Sequence, residues 1–139
     1  FGVEPRVLLE NHRDQRVATG KQIQGFWRTL INSHPEIRAL SGIALDPKHL
    51  HTVTREDFTQ SLKIIPPEAL KGIHIHTDLR SPSVTDKVPW REVFAAIRDL
   101  PDRPYIKPAV YQKNRVAETI EFCENMLSAP SEEHKGPVT

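Results

Sequence analysis

The sequence has no long hydrophobic run and only one cysteine. No apolar stretch approaches the about 20 residues that a membrane helix needs, and the first residues carry no signal-peptide pattern. We therefore expect a cytoplasmic protein that makes no use of a membrane. Cys123 is the single cysteine among 139 residues, which excludes an internal disulfide, and we interpret it as a reduced thiol of the core.

An excess of either charge is also missing. Lys and Arg number 19 against 18 Asp and Glu, and no basic stripe stands out, which argues against nucleic acid as a partner. No glycine-rich phosphate loop follows an apolar stretch, so nucleotide binding has no support either. The length and the 37% hydrophobic content are typical of one globular domain. We place that domain at residues 1–129 and expect the polar tail, residues 130–139, to be disordered.

The sequence does contain a fourfold alternation of short apolar and longer amphipathic stretches. We predict strands at residues 6–10, 41–46, 72–77 and 105–110 and helices at about 21–33, 54–65, 89–100 and 116–127. Thr19 is expected to cap the first helix, and Thr54 with Asp57 the second. Such alternation predicts an α/β fold of four βα units with parallel strands. Two architectures remain open: a small doubly wound, flavodoxin-like sheet, or half of an eightfold barrel.

Polar residues lie at or near the carboxyl end of each predicted strand. They are Glu10, Asp46, His76 and Lys107, separated by 36, 30 and 31 residues. In parallel α/β folds this edge of the sheet carries the chemistry. Spacings close to one βα unit each favour barrel-like repetition.

Two motifs near these strand ends indicate a metal site. In "GIHIHTD", side chains alternate, so His74 and His76 share one face of the strand while the isoleucines pack under the helices. In "ALDPKHLH", His49 follows Asp46 by three residues. Two carboxylates and an imidazole from successive strands suit a divalent cation, namely Mn, Co, Mg or Zn. Taken singly, Glu10 could be a loop or cap carboxylate and His49 an exposed turn residue. His12 is interpreted as a solvent-facing or capping residue.

The series "LLENH", "ALDPKHLH", "GIHIHTDLR" and "VPWREVFAAIRDL" resembles the C-terminal half of xylose-isomerase-like TIM barrels. Within them it is most similar to sugar isomerase/epimerase proteins of the ketose 3-epimerase type. The resemblance covers nearly all of residues 6–127 and lies in the order and spacing of the motifs. It implies metal-assisted proton transfer next to a sugar carbonyl, through a metal-stabilised enediolate.

The resemblance also implies roles for single residues. Glu10, Asp46 and His76 would bind the metal, and Glu10 would in addition act as a catalytic acid/base. Asn11 and His12 would line the mouth of the site. The residues implied to contact the substrate, a sugar or sugar phosphate, are His49, Arg80 and His74.

One position departs from the family. A second glutamate should end the last strand, as metal ligand and opposite acid/base, but Lys107 stands there. An ammonium has no lone pair for a metal. Either the site is degenerate, or Lys107 has a new catalytic or anion-binding role. The remaining explanations are that Lys107 is carboxylated, or that the alignment with the family is shifted by a few residues.

Four βα units are only half of a barrel. We expect the chain to pair with the missing N-terminal half-barrel or with a homodimer mate, or to be a fragment or processed chain, since it begins at Phe1 before the first strand. Two other functions stay open. One is a degenerate, non-catalytic interaction module, and the other is a metal-dependent phosphoesterase of the endonuclease IV type, against which the near-neutral charge argues.

Overall fold

A computed structural model describes residues 7–78, 80–110 and 112–129 of the chain. The strands in this part are β1 Val7–Glu10, β2 Ser41–Leu45, β3 Leu70–Ile75 and β4 Tyr105–Pro108. The α-helices are α1 Gly20–Ser33, α2 Pro47–Thr54, α3 Phe58–Ile64, α4 Trp90–Arg98 and α5 Lys113–Ser128. Short 3-10 turns lie at Pro35–Ile37, Arg55–Asp57 and Pro67–Ala69.

The strands form one parallel sheet in the order β1-β2-β3-β4. Each strand therefore pairs with the strand before it in the sequence. A flavodoxin-like sheet would place the second strand outside the first. Of the two predicted architectures, the observed strand order therefore matches the half-barrel. The predicted α/β fold of four parallel βα units is confirmed.

One face of the sheet, which we call the helix face, carries the hydrophobic core. Ile43, Leu45, Ile73 and Ile75 are almost fully buried there. They pack in one cluster with apolar residues of the helices that flank the sheet, Ile23, Trp27, Phe58, Trp90, Phe94 and Cys123 among them. Cys123 lies in this cluster, as its interpretation as a core residue predicts, and burial raises the pKa of its thiol to about 11.

The opposite face, which we call the inner face, carries Glu10, Ala44, His74 and Lys107. Register shows that these residues share a side, because Glu10 pairs with Ala44 across β1 and β2, and His74 pairs with Lys107 across β3 and β4. The histidines of the "GIHIHTD" motif therefore lie opposite the two buried isoleucines, as the alternation predicts.

The second crossover differs from its prediction. The sequence interpretation placed a helix after Thr54, but a helix, α2, already begins at Pro47 and ends at Thr54. Thr54 caps nothing, since its hydroxyl donates instead to the carbonyl of Leu50 within α2. Only then follows the expected helix, α3. The "DPKHLH" motif is therefore the first turn of a helix.

The first and last helices agree with their predictions except at single residues. Thr19 caps α1 in a capping box with Gln22, as expected. Phe26 and Ile120 are exposed although they belong to the apolar pattern of these helices. In α5 the buried face is formed by Thr119, Cys123 and Met126.

Parts of two predictions lie outside the described residues. These are the tail at residues 130–139 and the first residue of the predicted strand at 6–10. Within the described part of the chain, none of the helices combines the length and the apolar character that crossing a bilayer requires.

Candidate metal centre

Asp46 lies at the centre of the candidate site. It follows directly on β2 and caps α2, where its Oδ1 accepts a hydrogen bond of 3.0 Å from the backbone N–H of His49. Pro47 supplies the fixed φ angle that suits the first helical position. The side chain is 2% exposed. Capping thus holds the carboxylate at the edge of the sheet in one orientation.

Asn11 fixes the backbone of Asp46 from the neighbouring strand. Its amide donates to the Asp46 carbonyl at 3.1 Å and its Oδ1 accepts from the Asp46 N–H at 2.7 Å. Asn11 is fully buried, so it does not line the mouth as the sequence interpretation expected. It positions Asp46 instead, joining the ends of β1 and β2.

Two carboxylate–imidazole pairs connect the strands across the inner face. Nε2 of His76 lies 2.8 Å from Oδ2 of Asp46, and both side chains are almost fully buried. Nδ1 of His74 lies 2.8 Å from Oε1 of Glu10, whose side chain is 44% exposed. One pair is therefore shielded from water and the other is half open to it.

His49 is enclosed by other side chains. Its Nε2 lies 3.8 Å from Oδ2 of Asp46, and its ring centroid lies 3.9 Å from that of His12 and 5.8 Å from that of His76. Its Nδ1 is buried without a hydrogen-bond partner among the described residues. His12 was interpreted as solvent-facing or capping, and the contact with His49 was not foreseen.

The electrostatics of the site favour the forms that bind metal. Burial raises the pKa of the Asp46 carboxyl, but hydrogen bonds from His76 and the His49 N–H outweigh it and hold that pKa below its ordinary value. Burial lowers the pKa of the His49 imidazole, although the charge of Asp46 opposes this. A carboxylate and a neutral imidazole are the protonation states of metal ligands.

Two overlapping triads have the spacing of a metal site. The potential ligand atoms of Asp46, His49 and His76 lie within 4.8 Å of one another, and so do those of Glu10, Asp46 and His74. Nitrogen and carboxylate donors of this kind suit Zn, Co or Mn. The three predicted ligands, Glu10, Asp46 and His76, are thus divided between two triads that share Asp46.

Arg80 lies in the loop between β3 and α4 and belongs to neither triad. Its backbone N–H and carbonyl pair with those of Thr77. Asp86 stabilises this loop. Its Oδ2 accepts hydrogen bonds from the Thr77 hydroxyl at 2.6 Å, the Ser83 N–H at 2.7 Å and the Trp90 indole at 3.0 Å. Sequence reasoning missed Asp86, and nothing in its local sequence marks it as an anchor.

Lys107 lies on the inner face of β4, beside His74 in the register. Its side chain is exposed. It therefore borders the pair formed by His74 and Glu10, but an ammonium group offers no lone pair to a metal ion.

Comparison with known proteins shows the fold. No family model matches the chain, and no curated protein does. A solved structure does match: a crystal structure of D-psicose 3-epimerase in the presence of D-fructose, with a TM-score of 0.66 and 13% identity. The chain has the fold of half a TIM barrel.

The match covers 89% of this chain and 50% of the epimerase chain, so this chain spans half the length of that protein. The resemblance to xylose-isomerase-like barrels is confirmed for the fold. At 13% identity, the fold is all that this likeness shows.

Proposed function

We propose that this chain is a metal-dependent sugar isomerase/epimerase-like domain that moves a proton next to a sugar carbonyl. The observation that carries the proposal is the meeting of Glu10, Asp46, His74 and His76 at the carboxyl edge of a parallel sheet. That edge is where barrel enzymes place their chemistry. The fold likeness to a D-psicose 3-epimerase supports a ketose or aldose as substrate.

In this proposal Glu10, Asp46 and His76 hold the divalent cation, with Mn, Co, Mg and Zn as candidates. A bound divalent ion supplies Lewis-acid stabilisation of negative charge that develops on oxygen. Asp46 suits the role of ligand because its helix N-cap position and Asn11 fix its carboxylate.

Glu10 is the proposed acid/base. Its side chain is half exposed and faces the open side of the inner face, where a sugar can approach. Its hydrogen bond with Nδ1 of His74 fixes the carboxylate orientation and gives a neighbouring site to which a proton can pass. His49, His74 and Arg80 remain proposed substrate contacts.

Lys107 determines which reaction type the site favours. An epimerase needs an acid/base on each face of the carbon, whereas an aldose–ketose isomerase can use one. With Lys107 where the second glutamate would stand, Glu10 is the one carboxylate acid/base at the site, and isomerisation is the simpler assignment. The same lysine is the observation that favours the alternative, a degenerate half-barrel that serves as an interaction module.

A partner is part of the proposal. In the described sheet β1 and β4 each have one neighbouring strand, and unpaired strand edges promote association. The missing N-terminal half-barrel, or a second copy of the chain, would cover these edges and complete the pocket for a sugar or sugar phosphate.

Solvent exchange tests the proposed reaction. The full chain, loaded in turn with Mn²⁺, Co²⁺, Mg²⁺ and Zn²⁺, is incubated in D₂O with D-fructose and D-psicose and their phosphates. We expect deuterium at the carbon next to the carbonyl by NMR, and a loss of at least about 100-fold in Glu10→Gln, because general acid–base groups contribute about 10²–10⁴-fold. Exposed Glu121→Gln is the control. Absence of exchange with all four metals would support the interaction module instead.

A further inference from the structure

The imidazole of His49 is largely buried beside Asp46 and His76. Only 16% of the side chain is exposed, and Nδ1 lacks a hydrogen-bond partner among the described residues. The ring is nevertheless held, because it belongs to the first turn of α2 and packs against His12. The nitrogen that faces the other donors is Nε2, which lies 3.8 Å from Oδ2 of Asp46, beyond hydrogen-bond distance.

Asp46 and His76 supply the other donors around this ring. The carboxylate lies 2.8 Å from Nε2 of His76 and 3.8 Å from Nε2 of His49, and one donor atom of each residue lies within 4.8 Å of the others. Lys107 leaves the site one carboxylate short of the family pattern. A second imidazole replaces that missing donor without adding charge.

We propose that His49 is a metal ligand, and that Asp46, His49 and His76 form the metal site of this chain. This assignment rests on the proposed function only in placing a cation at the carboxyl edge of the sheet. It replaces Glu10 by His49 in the ligand set of the proposed function, so that Glu10 acts as the acid/base alone. It also differs from the substrate contact that the family resemblance implies for His49.

The triad of Glu10, Asp46 and His74 is the competing site. Its Glu10 side chain is 44% exposed. In the triad with His49 every side chain is at least four-fifths buried. Ligands that are already desolvated and held in place lose less freedom when the ion binds.

The donor set also determines which ions the site prefers. Two imidazoles and one carboxylate are a common ligand set of catalytic zinc, which keeps a further position open for water or substrate. Mg²⁺ prefers oxygen ligands and retains its water. The inference therefore predicts selection of Zn²⁺ or Co²⁺ over Mg²⁺.

Two matched histidine variants test the assignment. The full chain and the variants His49→Ala and His74→Ala are titrated with Co²⁺, whose visible absorption reports coordination, and with Zn²⁺ in competition. Because even partners outside the ligand shell contribute about 10–100-fold to metal affinity, we expect His49→Ala to weaken Co²⁺ binding at least tenfold. His74→Ala should change it less than threefold. Circular dichroism checks folding, and His49→Asn replaces the alanine variant if that does not fold.

Three outcomes would overturn the inference: loss of affinity in His74→Ala alone, equal affinity in all chains, or preference for Mg²⁺. Metal binding and deuterium exchange separate this inference from the proposed function. Co²⁺ binding that depends on His49 but without exchange would defeat the isomerase proposal alone. Exchange that survives in His49→Ala with unchanged metal affinity would defeat the ligand assignment alone.

Discussion

The two faces of β3 differ in what their side chains contact. Ile73 and Ile75 are fully buried among the helices, while His74 and His76 on the opposite face bond to carboxylates from other strands. The helix face is thus closed by this chain's own helices. The inner face is held by polar pairs, one of which is half open to solvent.

Residues that stabilise the fold and residues that can carry chemistry therefore lie on opposite faces of a single strand. Apolar burial on the helix face stabilises the fold whatever the inner face binds. The inner face is therefore free to carry carboxylates and imidazoles at close range. We expect substitutions on the two faces to have effects of different size and kind.

Neighbouring residues of β3 give the largest expected contrast. Ile73→Ala leaves a cavity in a packed core and should lower the free energy of unfolding by about 2–5 kcal/mol. His74→Gln keeps a polar side chain of similar size and loses a pair with a half-exposed carboxylate, so we expect a loss of about 1 kcal/mol or less. Urea denaturation of both variants measures this. Equal losses would contradict the separation of the faces.

Two glycines extend the comparison to packing, because an added Cβ would meet different neighbours at each of them. A Cβ at Gly20 would lie 2.8 Å from the Cα of Ser61 and closer still to its carbonyl, where α1 meets α3. Backbone cannot move aside, so Gly20→Ala should cost about 1–3 kcal/mol. The three atoms nearest to a Cβ at Gly72 would all belong to the side chain of Tyr105, a residue that is 50% exposed.

Because the ring of Tyr105 can rotate towards solvent, Gly72→Ala should change the free energy of unfolding by less than about 1 kcal/mol. Thermal denaturation compares the two variants with the parent chain. A larger loss in Gly72→Ala than in Gly20→Ala would show that the inner face is the more tightly packed of the two.

The smallest expected effect is the pH dependence that Asp86 causes in the loop after β3. Burial raises the pKa of its carboxyl, but hydrogen bonds from Thr77, Ser83 and Trp90 outweigh burial and lower that pKa. The carboxylate therefore stabilises the fold above the unfolded pKa of about 3.9, and this contribution is lost as the pH falls through the lower, folded value.

Asp86→Asn should accordingly cost about 1 kcal/mol at pH 7, and the gap to the parent chain should shrink below about pH 4. Urea denaturation at pH 7, 4.5 and 3 checks this, with Asp102→Asn at an exposed position as the control. A gap that is constant with pH, or that widens in acid, would contradict the assigned role.

The sequence was sufficient for the fold because each strand repeats one signal. Apolar runs ending in polar residues, separated by about one βα unit, predicted all four strands and their parallel pairing. It failed at α2, where histidine, valine and threonines obscure the helical period. The decisive signal was local, since Asp46 and Pro47 are a typical N-cap and first helical residue, but Asp46 was interpreted only as a ligand.

For the site, strand ends placed Glu10, Asp46, His74 and His76 together correctly. The alternation of side chains along a strand could not predict contacts between elements that are distant in the sequence. The two hydrogen bonds of Asn11 to Asp46 and the contact between His12 and His49 depend on how the loop after β1 meets the start of α2.

Anomalous diffraction from crystals of the full chain grown with Zn²⁺ tests the central claim most directly. The account predicts a zinc peak at about 2.0–2.2 Å from a carboxylate oxygen of Asp46, with imidazole nitrogens of His49 and His76 at similar distance. A crystal with no zinc peak near Asp46, or with zinc bound only at another part of the surface, would contradict it.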